Sequence, residues 1–313
     1  MGEVAWMKTK PFGLMVHYLK HIMPKEGQPF TDWDEMVNKF PVKDFCKAVE
    51  DTGAGWLIFP FGQNNGYYCS PNPVLEKILP GHCSKRDLMM EVAEILHDKD
   101  IKLIAYLPSE VDHAPEEIRN VFEWDLHSSD KSAFQEKYMD FIRCYGEKFG
   151  ELLDGWWFDG CYNSAEKSFC RTREWTNDRF DYEKWSQAAK AGNHDAVIAM
   201  CPGAEGMGYV FKEQDYLAGE VNTLNHFPGD NLIGEMQWHA LIWLDCFWMH
   251  KEKPGLIVPP RFSDAELLNY IKACHEKGGA VTLNVGIYQD GTMAEATIRQ
   301  VQYVYSEMMK STV

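Results

Sequence analysis

The clearest chemical signal in the chain is an apolar run, Trp156-Trp157-Phe158, that breaks at a carboxylate, Asp159, followed by Gly160. In a parallel α/β fold chemistry collects at the C-terminal ends of strands, so an acid there is a catalytic candidate; the plainer reading is a cap for the next helix. Two short segments carry a glutamate each: Asp215 to Val221 holds Glu220, and Gly234 to Trp238 holds Glu235. His17 and Tyr18 end the apolar run that starts at Phe12, and Gln63-Asn64-Asn65 follows the run from Gly55 to Gly62. Carboxylates, amides and aromatic rings facing one cavity have the composition of a sugar site. Rings stack on pyranose C–H faces, amides and imidazoles read hydroxyls, and paired carboxylates supply the acid/base and nucleophile of glycoside hydrolysis. On this reading the candidate sugar contacts are His17, Tyr18, Trp33, Asn64, Asn65, Tyr67, Trp157 and Trp238.

These side chains share one face only if the elements beneath them form a particular sheet. Apolar runs ending at Leu19, Gly62, Pro108, Asp159, Cys201, Val221, Trp238 and Gly286 read as strands. Between them lie helical patterns over Val42 to Thr52, Lys85 to Asp98 with Ser84 as its cap, and Ser129 to Phe149. Further helices are expected around Tyr182 to Ala191, from Asp264 to Lys277 with Ser263 as its cap, and over 293–311. Alternating strands and helices imply parallel pairing with right-handed crossovers, and about eight such units match an α/β fold of the (β/α)8 TIM-type barrel class. The expectation is one domain spanning 1–313. No GxGxxG or GxxxxGK[ST] follows the early strands, which removes the support for nucleotide binding on a doubly wound sheet, and no cofactor is expected.

A net charge of −16 repels nucleic acid, anionic membranes and highly sulfated polymers at long range. The expected partner is a carbohydrate substrate, with neither nucleic acid nor membrane, and a second copy of the chain stays open as a partner. No apolar run reaches the roughly 18 residues that span a bilayer, and no signal segment opens the chain. A cytoplasmic location follows as the expectation, although a removed signal peptide would leave no trace. Nine scattered cysteines without a CxxC pair argue against a zinc site and against a complete disulfide framework. His17 and His21 lie on a strand and the loop after it, not on one helix face, so no metal is expected.

Over nearly its whole length the chain resembles the α-L-fucosidases of glycoside hydrolase family 29. Phe12 to Tyr18 is similar to the family's Phe-Gly-hydrophobic opening that ends in His-Trp-Gly, and Arg86-Asp87-Leu88 resembles its Arg-Asp-Leu helix start. Trp157-Phe158-Asp159-Gly160 is similar to the strand end that carries its nucleophile. Gly278-Gly279 through Asn284-Val285-Gly286 to Asp290-Gly291 is similar to its last strand and the turn beyond. The resemblance implies a retaining exo-glycosidase acting on an α-L-fucoside or a related glycoside, with Asp159 attacking the anomeric carbon. It implies Glu235 as acid/base, because Phe247-Trp248-Met249 follows it at the family's spacing, with Glu220 as the second choice. The two carboxyl groups are then expected about 5–5.5 Å apart.

The chain departs from the family where the sugar is held. Gln63-Asn64-Asn65-Gly66-Tyr67 stands where the family has His-His-Asp-Gly-Phe, Tyr18 replaces a Trp, and Asp32-Trp33-Asp34 replaces Glu-Trp-Tyr. Amides still donate and accept, so polyols are still bound, but a glycone other than L-fucose is implied. A carbohydrate-binding pseudoenzyme of the same fold is the alternative. The β-sandwich that many family members add after the barrel is not expected.

Overall fold

Eight segments buried along nearly their whole length form the strands: β1 (Gly13–Met15), β2 (Trp56–Pro60), β3 (Lys102–Pro108), β4 (Gly155–Asp159), β5 (Val197–Met200), β6 (Glu220–Val221), β7 (His239–Trp243) and β8 (Ala280–Asn284). The computed structural model describes residues 2–128, 130–161, 180–204, 207–229 and 236–310. All the ladders between these strands are parallel, and the order is β5-β4-β3-β2-β1-β8-β7-β6. β1 therefore sits between β2 and β8, as a sheet curling toward a barrel requires. Among the described residues the ladder is open between β5 and β6.

Side chains alternate between the two faces of a strand, which sorts the apolar residues into two layers. Trp56, Ile58, Ile104, Tyr106, Trp157 and Ala199 form a cluster inside the curl. Leu57, Phe59, Leu103, Ala105, Trp156 and Phe158 belong to the larger core that includes the helices. Burial on both faces explains why these strands read as continuous apolar runs. The inner layer is tight: a Cβ at Gly13 would lie 2.0 Å from the Trp56 indole nitrogen. That nitrogen donates to Thr282 Oγ1 at 2.8 Å, and the His239 ring shares the same hydroxyl at 2.7 Å. Trp6, on the short helix Ala5–Thr9, packs its edge on Trp56 with ring centroids 5.7 Å apart.

The helices follow the sequence patterns with one correction to a capping signal, and two of the expected strands are corrected. Ser84 does not cap the second expected helix; its hydroxyl donates to the Arg86 carbonyl at 2.7 Å. Asp87 is the cap of Leu88–His97, accepting the Met90 N–H at 3.2 Å, because a carboxylate directly before the apolar periodicity outcompetes a serine held in the preceding turn. Ser263 caps Asp264–Glu276 as expected, in a capping box with Glu266. The seventh strand is His239–Trp243 and not the stretch from Gly234 to Trp238, whose first two residues lie outside the described ones. Of the stretch from Asp215 to Val221, only Glu220–Val221 is ladder.

Candidate active site

Asp159 is the last residue of β4, in register with Pro108 at the end of β3. Three groups fix its carboxylate and backbone. Oδ1 accepts the Gly160 N–H at 2.8 Å, Oδ2 accepts the Tyr106 hydroxyl at 2.7 Å, and the carbonyl accepts the Ser109 N–H at 2.7 Å. The turn needs glycine: Gly160 has φ +88, and a Cβ there would meet Glu110 Cγ at 2.6 Å. Tyr106 also accepts from Gln63 Nε2 at 2.7 Å and stacks on Trp157 with centroids 5.5 Å apart. Burial and the Asp159 charge raise its phenol well above the usual range, so it remains a donor to the carboxylate.

Glu220 opens β6, buried, and its Oε2 accepts the Cys201 thiol at 3.1 Å. Asp159, Cys201 and Glu220 each offer an oxygen or sulfur within 4.8 Å of the others, the one such group of possible metal ligands found among the described residues. Burial, followed by the charges of Glu220 and Asp159, pushes the Cys201 thiol well up, so it keeps its proton. In this arrangement the thiol is a hydrogen-bond donor to the Glu220 carboxylate.

A third carboxyl group stands behind the first. Glu110 is buried, accepts the Asp112 N–H, and is hydrogen-bonded by the Asn64 side chain. Desolvation raises its carboxyl to about 8, with Asp112 and Asp159 adding to the rise. Asn64 Oδ1 is buried with no donor.

His17 lies beyond the end of β1, its ring edge on Tyr106 at 5.4 Å. Asn284 donates through Nδ2 to the Trp248 carbonyl at 2.9 Å, which leaves its Oδ1 to accept from His17 Nδ1 at 2.9 Å. The proton is thereby on Nδ1, and Nε2 is an acceptor. Burial lowers the imidazole to about 4, so it is neutral. Asn65 contacts the His21 ring at 3.1 Å, and Tyr67 stacks on His82 and takes the Lys20 ammonium over its face at 3.3 Å.

Of the residues singled out from the sequence, Asp159, Glu220 and Trp157 are joined to this network directly, His17 through its ring contact with Tyr106, and Asn64 through Glu110. Trp157 is buried as the support under Tyr106 and not as an open platform, its indole N–H donating to the Ala218 carbonyl at 3.2 Å. Tyr18 and Trp33 are core: the tyrosine hydroxyl bonds the Met36 carbonyl at 3.1 Å, and the indole bonds the Tyr68 carbonyl at 3.0 Å. Trp238 precedes the first residue of β7, at the opposite end of the sheet from Asp159. Glu235 lies outside the described residues. Sequence reasoning missed Tyr106 and Cys201. The first was legible as a lone tyrosine in the aliphatic β3, two residues before its end; nothing marks the second among nine cysteines.

Residues 30–207, more than half of the chain, match the family model described as Endo-alpha(1,4)-fucoidanase Mef1. Among solved structures the chain is similar to the endo-fucoidan hydrolase MfFcnA9 of glycoside hydrolase family 107, at a TM-score of 0.68 and 14% identity over 97% of this chain. It spans 63% of that protein's length. It is also similar to α-L-fucosidase isoenzyme 1 from Paenibacillus thiaminolyticus, at a TM-score of 0.70 and 16% identity, covering 98% of this chain and 75% of the other. Similar too is α-L-fucosidase AlfC from Lactobacillus casei, solved with its α-L-fucose product, at a TM-score of 0.64 and 13% identity over 99% of both chains. At these identities the likeness is one of fold. No curated protein matches the chain in sequence.

Proposed function

The chain belongs to the family of the endo-alpha(1,4)-fucoidanase Mef1, and from that membership we propose that it is a glycoside hydrolase cleaving a polysaccharide that contains α-linked fucose. The reading takes 1–313 as one (β/α)8 barrel domain working without a cofactor. The observation that carries it is the approach of Asp159 and Glu220 to within 4.8 Å, close to the separation of about 5–5.5 Å that suits a retaining double displacement. Asp159 attacks the anomeric carbon as the glycosidic C–O bond breaks, and Glu220 gives its proton to the departing oxygen. Water then attacks the same carbon, frees Asp159, and returns a proton to Glu220. Tyr106 and Gly160 hold the nucleophile, while His17 Nε2 and Asn64 Oδ1 are acceptors that sugar hydroxyls would satisfy. The family's name favours internal cleavage over the terminal release that the α-L-fucosidase resemblance implies.

The test is product release from fucan oligosaccharides. Asp159→Ala lowers turnover by at least about 10³-fold with an unchanged circular dichroism spectrum, and Glu220→Gln lowers it by about 10²–10⁴-fold. Undiminished turnover in Asp159→Ala sinks the nucleophile assignment. A silent Glu235→Gln beside an active Glu220→Gln transfers the acid/base role to Glu235.

A further inference from the structure

Of the rings expected from the sequence to serve as stacking platforms, Tyr18, Trp33, Trp157 and Trp238 are buried and Tyr67 is partly buried, but another aromatic run reaches the surface beside the site. Trp248 lies 6.4 Å from the His17 ring, and Phe247 lies 6.2 Å from Trp248, centroid to centroid. Phe247 is 60% exposed. It is also braced. Its ring meets Trp243 at 5.4 Å and 87°, Trp243 donates to Asn222 Oδ1 at 2.8 Å, and the Arg261 guanidinium covers the Trp243 face at 3.3 Å. Arg261 also donates to the Asn222 carbonyl at 2.6 Å, which ties the brace to the segment just after Glu220.

The backbone beneath is strained. Trp248 has φ +60, a left-handed conformation that is unfavourable for a non-glycine residue and persists where surrounding contacts over-determine it. Here the Trp248 carbonyl is held by Asn284, the same side chain that orients His17. The strain thus places Trp248 toward His17 and leaves Phe247 outside.

We propose that Phe247 is the platform for a second sugar ring, one unit along the polysaccharide from the ring held at His17 and Asp159. Trp248 links the two positions, and the face of Phe247 supplies an apolar stacking surface for pyranose C–H groups. This rests on the glycosidase reading of the site, which needs a place for sugars beyond the one whose bond is cut.

The test measures calorimetric binding of a fucan tetrasaccharide and of free L-fucose to the unaltered protein, Phe247→Ala and Phe247→Tyr. Loss of one ring-stacking contact weakens tetrasaccharide binding by about tenfold in Phe247→Ala, with L-fucose affinity unmoved and Phe247→Tyr restoring the tetrasaccharide. Equal tetrasaccharide affinity in Phe247→Ala, or a parallel loss for L-fucose, overturns the platform. Absence of tetrasaccharide binding to the unaltered protein overturns it as well, together with the ligand class. Retained turnover in Asp159→Ala beside weakened tetrasaccharide binding in Phe247→Ala would instead remove the nucleophile and keep the platform.

Discussion

Glu110 enters neutral pH carrying its proton, and that has a consequence for stability. Burial is the main cause, with the Asp112 and Asp159 charges adding to it and hydrogen bonds from the Asp112 N–H and Asn64 opposing it. The Tyr138 and Cys161 side chains also feel the Glu110 charge. An unfolded glutamate titrates near about 4.3, whereas this one titrates at about 8, so between those values the folded protein holds a proton that the unfolded chain has released. Its stabilising contribution is complete below the unfolded value and is lost as pH rises to the folded one. Melting temperatures of the wild type and Glu110→Gln, compared from acid to alkaline pH, should diverge through this window in favour of the variant and run parallel above it. Parallel curves throughout would refute the raised carboxyl. The protonation of Glu110 follows from burial, to which Gly160, distant along the chain, contributes by passing close to its Cγ.

At the scale of elements, the edge between β5 and β6 is joined by side chains and single backbone bonds. Asp215 Oδ2 accepts the Ile198 N–H at 2.8 Å and the Lys190 ammonium at 2.9 Å, while the Asp215 N–H donates to the Ile198 carbonyl at 2.9 Å. Tyr216 adds a bond from its hydroxyl to the Trp156 carbonyl at 3.1 Å. The carboxylate is 1% exposed, so removing it leaves a backbone N–H and a largely buried ammonium without their acceptor. Asp215→Ala is therefore expected to cost about 3–5 kcal/mol in urea unfolding, as breaking a buried ion pair does. A loss below about 1 kcal/mol, the range of surface pairs, would mean that the edge is held by other contacts. In the sequence this stretch reads as a strand because its apolar residues are buried, yet most of it spends its hydrogen bonds on isolated bridges and side chains.

Across the whole molecule, the eight described cysteines are all unpaired and mostly buried, and Cys170 lies outside the described residues. Burial raises Cys46 and Cys83 to about 12 and Cys274 to about 11, which keeps these thiols protonated and slow to react. Ellman's reagent should find at least eight thiols in unreduced, unfolded protein and few in native protein, and reductant should leave the melting temperature unchanged. A fall in melting temperature on reduction would point to a disulfide. The long-range repulsion of anionic polymers by the net charge of −16 is a property of the summed charge; the carboxylates gathered at Asp159, Glu220 and Glu110 are local and are partly silenced by the proton on Glu110.

The sequence alone determined the alternation of strands and helices, because burial on both faces leaves continuous apolar runs and helix faces repeat at their own period. It also determined Asp159 as the end of such a run, since a charge cannot continue a buried strand. Tertiary structure alone decided which partners that acid meets. Tyr106, Cys201 and Glu220 come from three other strands or strand ends, and contact between parallel strands is set by sheet order and register, which leave no local mark in the chain. The same holds for the aromatic rings: Trp157 and Phe247 are alike in composition, and only the curl of the sheet puts one inside it and the other at the surface.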